Sequence, residues 1–372
     1  MPKNPLSAFR PFSAVVLFAA VTASAQIAKP WYPPTHWPIR DGVYHIHNFH
    51  FGSGETLPDL RLHYLTLGLP HRGPDGRTDN AVLLLHGTGG SAHSLLNPVF
   101  SDVLFGPGQP LDITKYFIIL PDDIGHGDSS KPSDGLRMQF PHYDYDDMVR
   151  SQHQMLVDGL HVNHLRLIFG TSMGCMQAFV WGETWPDFAD ALMPMACMPI
   201  AIAGRNRMWR YMAMNLIRHD PAWDNGNYTS EPMEGIRGAN DFIIIAGSAP
   251  QQMQKDFPTR RQAEAYVDRT LDLLDAHTDA DDFLYYVDAS RNYNPEPKLS
   301  TITAPVLWID SADDFVNPPE LSGLAQTLAT RMPHAKFILI PASLQTWGHG
   351  THTHAAVWKN DMIQFLQETD RK

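Results

Sequence analysis

Two rhythms of apolar residues run through this chain. From Tyr44 to Phe51 and from Leu60 to Leu67 apolar and polar positions alternate with period two, as antiparallel edge strands with one buried face do. The runs Ala81 to Leu85 and Tyr116 to Leu120 are almost continuously apolar, as strands covered on both faces of a parallel sheet must be. Similar short runs follow at Leu165 to Phe169, Ala191 to Cys197, Pro305 to Ile309 and Lys336 to Ile340, with helical spacing between the later ones. This order predicts an α/β fold in which an antiparallel start feeds a mostly parallel sheet with helices on both faces. Between residues 199 and 300 strand signals fade, and helical spacing appears at Arg207 to Arg218, Pro250 to Asp256 and Arg261 to Ala276. That stretch reads as a helical cap inserted between a first core part, residues 26–198, and a second, residues 301–372. A cap over the carboxyl edge of the sheet would exclude water and shape a pocket.

The N-terminus departs from this pattern. Lys3 and Arg10 give a basic start, Pro11 to Val21 an apolar stretch, and Ala23-Ser24-Ala25 a cleavage signal before Gln26. Residues 1–25 are therefore expected to be a signal peptide, and the mature protein secreted or periplasmic. The apolar run is too short to span a bilayer, so no membrane span is expected once it is removed. Losing its two cations takes the formal charge from −12 to −14, which makes nucleic acid and anionic membranes poor partners. The hydrophobic content of 43% over 372 residues supplies a sizeable core. With such a core no staple is needed, so the two cysteines, Cys175 and Cys197, are expected as separate buried thiols, although export would permit a disulfide.

The chemistry concentrates at Gly170-Thr171-Ser172-Met173-Gly174, a G-x-S-x-G segment between a strand and a helical stretch beginning Cys175, Met176, Phe179, Val180. A serine hydroxyl attacks at neutral pH only when a tight turn exposes it and a base accepts its proton. Acyl transfer also needs an acid to orient that base and donors for the developing oxyanion. His349, flanked by Gly348 and Gly350 after the last strand, is the expected base. His352 and His354 read as surface or supporting residues. Asp310, Asp313 and Asp314 compete as the acid. A metal reading of His349, His352 and His354, or of His45, His47 and His50, lacks carboxylate or cysteine partners at zinc spacing, so no metal and no cofactor are expected.

Taken together, these segments resemble the α/β-hydrolase superfamily over nearly the whole mature length. In that fold the acid sits three residues past a small turn residue and four before a proline, and counting from Ser311 and back from Pro318 selects Asp314, with Asp313 the fallback. The resemblance implies oxyanion donors at the N–H of Met173 and at that of Thr88, in the loop His86-Gly87-Thr88-Gly89-Gly90. It also implies a structural turn at Asp123-Ile124-Gly125-His126-Gly127-Asp128-Ser129, in which His126 has no catalytic part. More narrowly, the segments Gly170 to Ala178, Asp220-Pro221-Ala222-Trp223-Asp224-Asn225-Gly226-Asn227-Tyr228 and Gly348-His349 resemble the homoserine O-acetyltransferases. That family carries a carboxylate-gripping arginine six residues before the Asp-Pro, where this chain has Met214; Arg210 and Arg218 lie about a helical turn away. Met214 is thus a substrate-pocket candidate, and with Met173, Met176, Met195, Met198, Met208 and Met212 it forms either an adaptable acyl pocket or ordinary core filling. The function expected is an exported serine hydrolase of carboxylic esters or related acyl compounds, using Ser172, His349 and Asp314. The alternatives are an O-acyltransferase of the homoserine type and a non-catalytic binding protein on the same fold. Its partner would be a small acyl substrate, with a homodimer left open.

Overall fold

The computed structural model describes residues 35–370, so the expected signal peptide lies outside the described residues. Eight strands form one sheet: β1 (Arg40–His50), β2 (Thr56–Leu67), β3 (Ala81–Leu85), β4 (Phe117–Pro121), β5 (Leu167–Thr171), β6 (Leu192–Met195), β7 (Val306–Ser311) and β8 (Ala335–Ile340). Their spatial order is β1-β2-β4-β3-β5-β6-β7-β8. The β1/β2 and β2/β4 pairings are antiparallel, and all later pairings are parallel. Each strand read from the sequence is present, with ends moved by a few residues. Leu165, for instance, makes only an isolated bridge to Ala189, so β5 begins later. Of the two strands read as edges only β1 is one, because β2 lies between β1 and β4.

Side-chain alternation explains why the central strands are apolar throughout. In β3, Ala81, Leu83 and Leu85 enter one apolar cluster, while Val82 and Leu84 enter another on the opposite face. The first cluster is covered by α2 (Tyr145–Gln154), α3 (Met173–Thr184) and α9 (Ser322–Ala329). The second packs under α1 (Pro98–Leu104) and α10 (Lys359–Glu368). Helix α3 is buried without interruption from Met173 to Gly182, as expected of a helix apolar on all sides.

Between β6 and β7 the chain forms five helices: α4 (Gly204–His219), α5 (Met233–Gly247), α6 (Pro250–Asp256), α7 (Arg260–Asp275) and α8 (Ala280–Asp288). They build their own apolar cluster, in which Met214 and Ile217 of α4 meet Ile236 of α5 and Phe283 and Val287 of α8. Helices α5 and α8 were absent from the expectation. The β-branched run Ile243-Ile244-Ile245 mimics a strand, and α8 is only nine residues long. Polar bonds tie this layer to the loop after β4: Asp282 accepts from Ser133 N at 2.9 Å and from Ser133 Oγ at 2.6 Å, and Arg137 pairs with Asp279 at 3.3 Å.

The expectation of two separate thiols is overturned. Cys175 in α3 and Cys197 just past β6 form a disulfide with their Cα atoms 5.8 Å apart. Parallel pairing of β5 with β6 brings the end of β6 back beside the start of α3, a proximity that a 22-residue separation conceals.

Candidate active site

Strand β5 delivers Ser172 onto a sharp turn. Its φ of 54° and ψ of −108° lie in a region that a residue with a side chain rarely adopts, so surrounding packing must hold it there. Two glycines allow this. A Cβ on Gly170 would meet Gly174 O at 2.0 Å, and one on Gly174 would meet Leu85 O at 2.3 Å. Ser172 N donates to Met195 O at 2.9 Å and Gly174 N to His86 O at 3.0 Å, which clamps the turn between β6 and the end of β3.

The imidazole of His349 arrives from the loop after β8. Its Nε2 lies 2.8 Å from Ser172 Oγ, and its Nδ1 lies 2.8 Å from Asp314 Oδ2. A carboxylate accepts only, so Nδ1 carries the hydrogen and Nε2 is left free to take the serine proton. Asp314 is buried and accepts further N–H bonds from Val316 at 2.6 Å, Asn317 at 3.1 Å and Asn317 Nδ2 at 3.3 Å. Burial alone would raise its pKa, but the neighbouring imidazole and the converging donors hold it below the usual carboxylate range.

Asp313, chemically the equal of Asp314, does different work. Its Oδ2 accepts from Thr346 Oγ1 at 2.8 Å and from Gly348 N at 3.1 Å, and its Oδ1 from Ser311 Oγ at 2.5 Å. It therefore anchors the loop that carries His349. Asn317, which sequence reasoning passed over, donates to Ala196 O at 2.9 Å and so fastens the acid loop to the end of β6.

Gly87 runs past Ser172, where a Cβ would lie 3.4 Å from Ser172 Cβ. Its carbonyl accepts from His86 Nδ1 at 2.8 Å and from Gly90 N at 3.0 Å. In a trans peptide the carbonyl and the following N–H point in opposite directions, so this tethering turns the Thr88 N–H away from His86. Met173 is the first residue of α3, and its N–H has no acceptor within the helix. Thr88, in the loop after β3, and Met173, at the start of α3, thus offer main-chain donors.

The other expected residues sit as follows. Met214 lies in the apolar cluster of α4, α5 and α8. His352 packs edge-on against His349 with ring centres 5.2 Å apart, and burial followed by the nearby His349 lowers its pKa to about 3. His354 stacks on Trp347 at 4.6 Å. His126 is buried in its turn, donating from Nδ1 to Ile124 O at 3.1 Å. Beneath the elbow lies a buried network that the sequence did not disclose. Gln177 of α3 donates to Asp123 at 2.7 Å, and Gln152 of α2 donates to Gln177 and accepts from Trp181, each at 2.7 Å.

Comparison with known proteins places this geometry in a family. The profile described as "alpha/beta hydrolase fold" matches residues 80–344. Homoserine O-acetyltransferase of Deferribacter desulfuricans is 30% identical over 312 residues, covering 73% of this chain and 80% of that protein. Among solved structures, an acetylester hydrolase from Corynebacterium glutamicum superposes with TM-score 0.77 at 19% identity, covering 88% of this chain and 96% of that one. Homoserine O-acetyltransferase from Bacillus anthracis gives TM-score 0.75 at 21% identity, covering 90% and 98%. The chain therefore belongs to the α/β-hydrolase fold family, on the branch that includes the homoserine O-acetyltransferases.

Proposed function

We propose that this protein transfers acyl groups through a covalent intermediate on Ser172, with an alcohol as its preferred acceptor. The observation that carries the reading is the unbroken chain from Ser172 Oγ through His349 to Asp314, with both links at 2.8 Å. As Ser172 Oγ attacks the acyl carbonyl, His349 Nε2 takes its proton, and Asp314 stabilises the imidazolium that results. The N–H groups of Thr88 and Met173 receive the charge that develops on the carbonyl oxygen. His349 then protonates the leaving group, deprotonates the acceptor hydroxyl and restores the serine.

The acceptor is argued from Arg210. This guanidinium is buried, yet among the described residues no carboxylate lies within 4.0 Å of it. Its partners are Asn206 Oδ1 at 2.8 Å, Val287 O at 3.4 Å and the Trp209 ring. Its neighbour Tyr145 also touches Thr88, so the cation stands two side chains from an oxyanion donor. A buried cation without an anion is costly, and an acceptor bearing a carboxylate would relieve it. Arg218, the other candidate for this part, is exposed.

Hydrolysis is the second reading, favoured by Met214, which puts a thioether where the family resemblance expects a guanidinium. Export belongs with this reading. The Cys175–Cys197 disulfide suits an oxidising compartment, where water would be the commonest acceptor.

Labelling by a fluorophosphonate probe tests the nucleophile: equal labelling of wild type and Ser172→Ala would remove it. Product analysis with an activated acetyl ester and excess homoserine tests the acceptor. Acetylated homoserine is expected, and acetate alone at every homoserine concentration would decide for hydrolysis.

A further inference from the structure

Asp310 is the last residue but one of β7, four residues before Asp314. Its side chain is buried, and its carboxyl is in hydrogen-bonding contact with that of Asp314. Two ionised carboxylates have only acceptors to offer each other, so such a contact requires a proton on one of them. Counting donors shows which. Asp314 receives N–H groups from Val316, from Asn317 twice and from His349. Among the described residues, Asp310 receives one N–H bond, from Ser311 N at 2.8 Å. Each donor stabilises negative charge where it ends, so the charge stays on Asp314.

We infer that Asp310 is a neutral carboxylic acid whose O–H donates to Asp314, making it a positioning residue that extends the Ser172, His349, Asp314 chain by one link. This rests on the catalytic reading of those three residues. Burial, then the charge of Asp314, push the Asp310 carboxyl well above the usual range, which agrees with the donor count. The titratable groups facing it are Asp313, Asp314, His349 and His352. The two histidines line, with Asp310 and Thr351, a cavity of about 10 Å³ behind the triad. His352 is kept neutral there, so it brings no competing positive charge.

The consequence is electrostatic. A neutral donor draws density from Asp314, so the carboxylate stabilises the His349 imidazolium less strongly and leaves the base free near neutral pH. Asp310→Ala removes the donor and is expected to lower kcat about tenfold and to move the acidic limb of kcat/KM to higher pH. Asp310→Asn keeps a neutral donor, and is expected to restore most of kcat and return the limb to its wild-type position. Were Asp310 ionised, Asp310→Asn would instead remove a negative charge and shift the limb to lower pH, which would overturn the inference.

A readout independent of turnover separates this from the catalytic reading. Infrared difference spectra of the Ser172→Ala protein with and without Asp310→Asn should show a protonated-carboxyl stretch at neutral pH, and its absence would sink the inference even if the triad is correct. If Asp310→Asn does not fold, the same band is sought in the Ser172→Ala protein alone. There Asp310→Ala must reduce its intensity at neutral pH, and an unchanged band would be decisive against Asp310.

Discussion

The sheet layer and the cap helices bury charge in opposite ways. Beneath the sheet it is buried in company. His63 and Asp122 meet at 2.7 Å with both side chains almost inaccessible, and Asp314 meets His349 at 2.8 Å. Burial would lower the pKa of His63, but Asp122 and then Asp41 outweigh it and raise it to about 9. In the cap, Arg210 is buried with no anion beside it among the described residues, while Glu231, Asp279, Asp281 and Asp282 crowd around the N-terminus of α8. The contrast indicates what each layer is for. On the proposed reading, paired charges fix the reacting atoms, whereas unpaired or like charges leave the cap responsive to a ligand and to protons.

Breaking the paired side should have the largest effect. His349→Ala is expected to lower kcat on an activated ester by ~10⁴-fold or more, because members of such a unit act together. Thermal melting should stay within a few degrees of wild type, since the side chain is 15% exposed and lies outside the apolar clusters. A loss below tenfold would remove the base from the mechanism.

The disulfide joins the two regimes, because Cys197 lies where the chain leaves β6 toward the cap and Cys175 lies on the elbow helix. Closing a 22-residue separation restricts the unfolded chain by ~3 kcal/mol in the chain-entropy account. Replacing both cysteines by alanine should therefore lower the urea midpoint clearly while leaving Ser172 reactive toward the phosphonate probe at low temperature. An unchanged midpoint would mean that the bond adds nothing to global stability.

Arg210→Met tests the unpaired side with the opposite sign. An apolar side chain of similar length removes a buried uncompensated cation, so stability should rise by ~1–2 kcal/mol. The KM for a carboxylate-bearing acceptor should rise about tenfold, a change of ~1.4 kcal/mol, with ester hydrolysis little altered. A fall in melting temperature would mean that Asn206, Val287 and Tyr145 already satisfy the guanidinium, and the distinction between the two layers would weaken.

How much of this was legible depended on whether a rule was local. The eight strands follow from runs of five to eight residues, and the elbow from five consecutive ones. Ser172 and the glycine-flanked His349 were open to such rules, whereas Asp314 was singled out only through the family resemblance. What no local rule could give was the pairing of distant segments. Asp313 and Asp314 are equivalent until the loop carrying Thr346 and Gly348 closes onto one and His349 onto the other. The disulfide depends on β6 returning beside α3. Arg210 needed the full assembly of α4, α8 and Tyr145 before its isolation was visible, because helical spacing reports a buried face but not the absence of a counter-ion.

The smallest expected effect sharpens the comparison through pH. Burial, then the charge of Asp279, raise Glu231 to about 7 and Asp282 to about 8; burial likewise raises Asp281 to about 6. These acids bind protons more tightly folded than unfolded. Their favourable contribution is therefore complete below the unfolded carboxylate range near ~4, and is lost as pH rises through about 6 to 8. His63 behaves differently: its contribution is complete below ~6.5 and disappears only as pH passes about 9. The cap should thus loosen at a pH where the sheet layer is still intact. Relative to the intrinsic hydroxide-catalysed rate, hydrogen exchange in α8 should quicken between pH 4 and 8, while exchange in β3 to β5 changes only above ~6.5. Asp282→Asn keeps an acceptor for Ser133 and removes the charge, so it should flatten that rise. Its gain at pH 8 should be only about 1 kcal/mol, because Asp282 is partly exposed and shares its surroundings with Asp279 and Glu231. Parallel acceleration in α8 and the central strands would mean that cap and core open as one unit, and the proposed division of labour between them would fall.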